Sequence, residues 1–536
     1  MQEEKAMTTF QAAKAAQAAD GSPGSGAVIV GARPLAPEEV IAVARGGARI
    51  ELAAEALAAI RRGREVIDAL AEDVEPHYGV STGFGALATR HIPVGLRAQL
   101  QASLIRSHAA GSGPEVEDEV VRALMLLRLS TLATGRTGAR EQTVRVYAAL
   151  LNADITPVVH EYGSLGCSGD LAPLAHCALA ITGEGIVRDA AGRLRPAADA
   201  LAEAGIRPVE LREKEGLALI NGTDGMLGML VLAIADIREL LKVADITAAM
   251  SVEGLLGSDS PFAADLQALR PHPGQAAAAA NMRALLAGSA IMASHRGPEC
   301  TRVQDAYSLR CAPQVAGAAR DTVDHAALVA GRELASAIDN PVITPDGRVE
   351  SNGNFHGAPL GFVLDFLAIA VADVASMSER RTDRYLDVAR NQGLTPFLAN
   401  DPGVDSGHMI AQYTQAAIVS ELKRLAVPAS VDSIPSSAMQ EDHVSMGWSA
   451  ARKLRRAVDG LTRVLAIELL TAARGIELRE PLTPAAATGA VIAGLRAAVQ
   501  GPGADRFMAP EIEAAVRYVA DGDALRAAQS VTGPLS

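Results

Sequence analysis

Residues 222–256 read GTDGMLGMLVLAIADIRELLKVADITAAMSVEGLL. This stretch reads as one unbroken helix, rich in the good helix formers Ala and Leu. Two further windows, 359–390 and 443–476, have the same texture. All three exceed the length of an ordinary globular helix, which points to a long bundle. Helices are also predicted over 275–293, 315–338 and 405–426. The fold class is therefore mainly α, with a long-helix bundle core and a loop-rich N-terminal lobe.

Towards the N-terminus the pattern shortens. Residues 51–72 and 114–134 have apolar positions at three- and four-residue spacing. Pro37, Glu38 and Glu39 have the character of a helix first turn. Between these helices, 77–93 (HYGVSTGFGALATRHIP) contains Gly79, Gly83 and Gly85 and reads as a loop. The stretch 152–170 combines a β-like run, Ile155 to Val159, with a Gly-rich turn. Residues 1–34 are rich in Ala, Gly and Ser without periodicity and read as a mobile leader. The expected organisation is a 1–34 leader, a 35–225 N-terminal lobe, a 226–480 central bundle and a 481–536 C-terminal helical segment. No internal repeat is visible.

The bulk numbers exclude several classes. A formal charge of −13 argues against a nucleic-acid or anionic-membrane partner. The cysteines, Cys167, Cys177, Cys300 and Cys311, are too few for a disulfide framework and are not spaced as zinc ligands. No metal is expected, and a reducing, cytoplasmic setting is. Met1 to Asp20 lacks the apolar region of a signal peptide. The most apolar stretches, 226–235 and 359–375, are short or interrupted by Asp236, Asp365 and Asp373, so no membrane span is expected.

The chemistry concentrates in 163–176, GSLGCSGDLAPLAH. Its composition suits a structural turn, or a weak phosphate cradle without the Lys-Ser/Thr that usually follows. A third reading uses each residue. If the Gly169 amide nitrogen attacks the Cys167 carbonyl, a five-membered ring closes. Loss of one water from that carbon, and of the Ser168 hydroxyl as a second, leaves an exocyclic methylene conjugated to the ring. Gly is needed at 169 for close backbone approach, and Ser at 168 for its leaving hydroxyl. The Cys167 side chain takes no part.

This stretch resembles the signature of the histidine and phenylalanine ammonia-lyases, whose Ala-Ser-Gly matures into a 4-methylidene-imidazol-5-one; Cys167 stands here for the usual Ala. The resemblance extends over approximately 36–530. It implies the bundle fold of the fumarase/aspartase-like superfamily and an amino-acid substrate. It further implies no dissociable cofactor and a homotetramer whose sites are shared between chains.

Residue by residue, the resemblance implies the following roles. Tyr78, in YGVSTGFG, is the base that removes a substrate β-proton from within a mobile Gly-rich loop. Asn221, which alone would pass as a helix cap, bonds the electrophile's carbonyl or the amino acid. In VQDAYSLRC (303–311), Gln304, Tyr307 and Arg310 recur at three-residue spacing and would share a helix face. Arg310 then grips the substrate carboxylate, with Tyr307 beside the amine. Many relatives have Pro where this chain has Ala306. Phe355, in SNGNFHG (351–357), packs on the electrophile ring. In SAMQEDHVSM (437–446), Gln440 and Glu441 match a family segment, with Met439 where Asn is common, and Gln440 is assigned to the site.

Two positions bear on the substrate. Ser107-His108, in LIRSHAAG, matches the histidine-type selector, where phenylalanine- and tyrosine-directed relatives have Phe-Leu or His-Leu. Glu421, in VSELKRLA, would set a carboxylate against an imidazole or serve in proton transfer. The stretch 427–447 also resembles bacterial histidine-directed members. L-Histidine, giving trans-urocanate, is the expected substrate. A phenylalanine or tyrosine lyase, or a 2,3-aminomutase with the same electrophile, remains the alternative. A fumarase-like lyase would need a GSSxMPxKxN loop, which is absent. A zinc hydrolase would need a His three residues after His160-Glu161, also absent.

Overall fold

The computed structural model describes residues 27–31, 33–297 and 303–536. Most of the predicted leader, and Cys300, lie outside the described residues. The leader's end does not read as expected. Val28–Val30 forms strand β1, paired in parallel with β2, Ile50–Leu52. Val30 is fully buried, so the ordered lobe begins before residue 35.

Within the lobe, helix α1 spans Arg97–His108 and α2 spans Asp118–Ala133. The β-like run Ile155 to Val159 holds the short strand Thr156–Pro157, and a second strand, His160–Tyr162, follows it. Helix α3, Leu171–Ile181, starts directly after the Gly-rich turn. Residues 114 and 115, read above as the start of a helix, instead belong to the strand Ser112–Glu115, which pairs with His160–Tyr162.

The three long windows are helices: α4, Asp224–Gly254; α7, Ala358–Leu386; and α9, Gly447–Glu477. Between them lie α5, Tyr307–Arg310; α6, Ala312–Leu334; and α8, Met409–Leu425. Helix α4 is buried on almost every side, as befits an all-round apolar helix at the centre of a bundle. Helix α9 packs along both α4 and α7. The stretches Glu215–Gly254 and Ala358–Leu386 are long and apolar enough to cross a membrane by composition, but the most apolar 18-residue window of the first is wholly inside the bundle.

Tertiary constraints set the helix ends. The predicted 275–293 helix breaks after Leu285, because Gly288 turns left-handed at φ +75°. Ser289 then caps a new turn by accepting the Met292 N–H. Residues 443–446 stay outside α9, because Met446 is left-handed at φ +51° and its N–H donates to the Leu165 carbonyl at 2.8 Å.

Two buried ion pairs fix the framework around the site. Arg128, on α2, donates to Asp224 at 2.6 and 3.0 Å and to the carbonyls of Ala218 and Asn221. That carboxylate sits in the first turn of α4, at the positive end of the helix dipole. In the bundle, Arg381 forks onto Glu468 (2.5 and 2.8 Å), which also accepts from Ser251. The same guanidinium donates to the Ser308 carbonyl at 3.2 Å, pinning the short helix α5 to the bundle.

Candidate active site

The Gly-rich turn is held from both flanks. Ser164 Oγ donates to Asp170 at 2.8 Å and accepts from the Gly166 N–H. The Gly166 carbonyl accepts from the Gly357 N–H (2.9 Å) and from Ser445 Oγ (2.5 Å). Between these anchors, Ser168 and Gly169 are both left-handed, at φ +51° and +80°. A Cβ at 169 would stand 2.0 Å from the Gly222 carbonyl oxygen. Only glycine fits, for the close approach that ring closure also requires. The turn thus fits the self-formed ring: a doubled-back backbone, no side chain at 169, and a hydroxyl at 168 on a proton acceptor.

That acceptor is Glu441. Ser168 Oγ donates to Glu441 Oε1 at 3.0 Å, and Cys167 Sγ to Oε2 at 3.6 Å. Ser436 Oγ donates to Oε2 at 3.1 Å, steadying the carboxylate. Burial, then the Glu441 charge, push the Cys167 thiol up to about 12, so it stays protonated. The sequence reading stopped at Gln440, which is exposed here. The matching QED run was the available sign for its neighbour.

Other predicted residues gather around this turn. Tyr78 is partly buried and its hydroxyl accepts from the Gly85 N–H at 3.3 Å. Burial pushes its phenol up; the Gly85 N–H opposes this, and the charges of Glu441 and Asp339 add to it. Within the protomer Tyr78 therefore keeps its proton, contrary to what a base needs. His108 Nδ1 bonds the Leu104 carbonyl at 2.8 Å. Burial lowers its pKa, with the Leu104 carbonyl and the Glu441 charge opposing. A neutral ring with its proton on Nδ1 leaves Nε2 as an acceptor.

Asn221 is buried and does not cap the start of α4, whose cap residue is Thr223; it ends the short helix Glu215–Ile220 instead. Its Nδ2 donates to the Asn340 carbonyl at 3.0 Å, while its Oδ1 is buried without a partner. Phe355 is half-buried in the turn whose Gly357 reaches Gly166. His356 of that turn stacks on His443, ring centroids 5.6 Å apart, tying it to the Glu441 segment.

The remaining predicted residues are not brought to the turn in one protomer. Helix α5 begins only at Tyr307, so Gln304 lies outside it in an exposed, non-helical lead-in. Tyr307 is 69% exposed, with the Arg310 guanidinium 4.7 Å above its ring. Arg310 Nε is buried without a partner. Glu421 sits on α8 with a half-exposed side chain ion-paired to Arg424, one helical turn along. Within the protomer, the carboxylate that meets Cys167 and Ser168 is Glu441 and not Glu421.

Asp170, missed in the sequence, underpins the turn. Its Oδ2 accepts from the Gly225 and Met226 N–H groups at 2.9 and 3.0 Å. Burial outweighs these bonds and pushes its carboxyl up to about 7. A carboxyl raised in the folded state contributes stability that is fully present below its unfolded pKa and lost as pH rises through about 7. Asp170→Asn stays neutral and keeps an acceptor for both N–H groups. Urea midpoints for the two proteins should therefore shift in favour of the variant between pH 4 and 8. The rise from 3.8 to about 7 bounds that swing at about 4 kcal/mol. A constant difference across this range would show that Asp170 does not titrate there.

Comparison with known proteins extends this geometry to a family. Residues 35–497 match the family described as aromatic amino acid lyase. A histidine ammonia-lyase of Streptomyces avermitilis is 68% identical over 510 residues, covering 95% of this chain and 99% of that protein. One of Gloeobacter violaceus is 48% identical over 502 residues, covering 94% and 97%. Among solved structures, tyrosine aminomutase from Streptomyces globisporus superposes with a TM-score of 0.90 at 39% identity, covering 95% of this chain and all of that one. Histidine ammonia-lyase from Trypanosoma cruzi gives 0.86 at 37% identity, covering 94% and 96%. With the match running through lobe and bundle alike, the chain belongs to the aromatic amino acid lyase family.

Proposed function

We propose that this chain is a carbon–nitrogen lyase that removes ammonia from L-histidine to give trans-urocanate. The observation that carries the reading is the Ser168 hydroxyl on Glu441, in a turn closed to any side chain at 169, with neutral His108 within reach of the same charge. Likeness to the histidine ammonia-lyases across nearly the whole chain supports it. Once matured from Cys167, Ser168 and Gly169, the methylidene-imidazolone supplies an electrophile that makes the substrate amine a leaving group.

The chain's own residues supply the rest. His108 Nε2, as an acceptor, takes the N–H of the substrate imidazole. Asn221 offers a free acceptor, Oδ1, which suits the substrate's amino group better than a carbonyl. Glu441, beside Ser168, receives the β-proton as the C–N bond breaks, the electrons of the C–H bond forming the new double bond. Tyr78 closes the site as a proton-bearing phenol, and a role as base would require a positive charge brought beside it.

Gln304 and Tyr307 are exposed, Arg310 lies partly buried over the Tyr307 ring, and the α7 face also exposes Phe362, Phe366 and Ile369. These facts fit a homotetramer in which α5 of one subunit completes the site of another. There Arg310 grips the substrate carboxylate. Arg310→Lys should raise KM about tenfold, because an ammonium cannot reproduce a forked contact. An unaltered KM would take Arg310 out of the site.

Assays of L-histidine, L-phenylalanine and L-tyrosine side by side, read at the absorbance of the unsaturated acid and for free ammonia, test the substrate. Preference for phenylalanine or tyrosine would overturn the histidine reading and leave the lyase class standing. The likeness to tyrosine aminomutase favours one second reading, a 2,3-aminomutase; a β-amino acid product would establish it.

A further inference from the structure

We propose that the buried Lys214–Asp339 pair is a positioning pair for this site, fixing one turn from which Asn221, the Phe355 turn and the Tyr78 loop all take their places. The inference rests on the reading of those three residues given above. Neither partner touches Ser168 or Glu441.

The connections run outward from one carboxylate. Lys214 Nζ donates to Asp339 Oδ2 at 2.5 Å, and both side chains are closed to solvent, at 1% and 0% exposure. The second oxygen, Oδ1, accepts the Asn340 N–H at 2.8 Å, which sets the Asn340 peptide. The Asn340 carbonyl then accepts from Asn221 Nδ2 at 3.0 Å, leaving Asn221 Oδ1 free. Asn340 Oδ1 accepts from Ser351 Oγ and from the Asn352 N–H, both at 3.0 Å. The Asp339 carbonyl accepts from Asn352 Nδ2 at 2.9 Å. Asn352 opens the turn that carries Phe355, and its Oδ1 accepts the Asn354 N–H.

The third connection is by packing. A Cβ on Gly79, the residue after Tyr78, would lie 3.3 Å from Pro341 Cδ and 3.4 Å from Lys214 Cδ. The lysine stem and the proline after Asn340 therefore form the floor on which the Tyr78 loop rests.

Stability alone gives little reason for such a pair. Replacing a buried ion pair by neutral groups of similar size is often neutral or stabilising. What an apolar pair could not do is hold the Asn340 peptide from one side while filling the floor under Gly79 from the other. Burial pushes Asp339 up and Lys214 down. The two stay hydrogen-bonded whichever atom holds the proton.

The test uses the full assembled chain and the paired substitution Lys214→Met/Asp339→Asn, which removes both buried charges together. Its melting temperature should stay near the parent's, while kcat on histidine falls by up to roughly 100-fold, the scale of a misplacement of about 1 Å. In an Asn221→Ala background the same pair should cost a distinctly smaller factor, since part of what it positions is gone. Hydrogen exchange should quicken in peptides covering 217–223 and 351–357 and stay unchanged in the interior of α9. Should the paired variant not fold, Asp339→Glu keeps the charge, displaces the carboxylate by one methylene, and is read the same way. Parental kcat in a folded variant, an undiminished loss in the Asn221→Ala background, or unchanged exchange at both peptides would each overturn the proposal. If the parent chain deaminates none of the three amino acids, the lyase reading falls, and the exchange data alone decide the positioning.

Discussion

Ser168→Ala is expected to fold and assemble like the parent and to lose nearly all activity. The loss follows from composition, since without a β-hydroxyl no second water can leave and no methylidene can form. Folding should survive because Ser168 donates a single hydrogen bond, to Glu441, which keeps the Ser436 hydroxyl. Intact-protein mass spectrometry of the parent should show a deficit equal to two water molecules, localised to the peptide holding 167–169. Ser168→Ala should lack the full deficit. Cys167→Ala should keep both the deficit and most activity, because that thiol hangs outside the ring and, held protonated, offers no thiolate to the chemistry. Borohydride should inactivate the parent, as hydride adds to an exocyclic methylene and not to an ordinary serine. A parent of full unmodified mass that still turned over histidine would end the self-made electrophile.

The long helices were legible because length and composition alone specify them. Helix ends were not, since Gly288 stops the predicted 275–293 helix and Met446 delays the start of α9, for reasons of conformation and of contact with a segment far away in sequence. The need for glycine at 169 follows from the chemistry of ring closure alone; that the obstacle to a side chain is the Gly222 carbonyl is a matter of packing. Val28–Val30 was lost in a low-complexity leader because three residues give no periodicity to detect. Asn221 was found only through resemblance, and its local reading as a cap fails because α4 begins at Asp224, with Thr223 as its cap residue and no side-chain cap bond. Lys214, Asp339 and Asp170 gave no sign, because burial of a charged side chain is a property of the fold and is invisible in the chain. The same holds for the carboxylate beside the turn. Glu421 and Glu441 both stand in stretches that fit a site, and only the packing shows which one is in contact with the electrophile-forming turn.

Glu441→Gln is accordingly expected to cut turnover by roughly 10²–10⁴-fold, the range lost with a general acid–base group. Glutamine keeps a carbonyl oxygen for one of the Ser168 and Ser436 hydroxyls, and its amide N–H can donate to the other once that hydroxyl turns, so the segment should hold its place and the two-water deficit should still appear. What is lost is the capacity to take a proton from the substrate's β-carbon. The fall should appear in kcat and in kcat/KM together, as it does when an interaction made only in the transition state is removed. Glu421→Gln supplies the contrast: its carboxylate is half exposed and paired with Arg424 on the same helix. Exposed pairs of that kind are worth about 0–1 kcal/mol, so turnover should stay within a few-fold of the parent. If Glu421→Gln proved the damaging change and Glu441→Gln the silent one, the proton acceptor would have to come from α8 across a subunit boundary, and the place given to Glu441 in the elimination would be wrong.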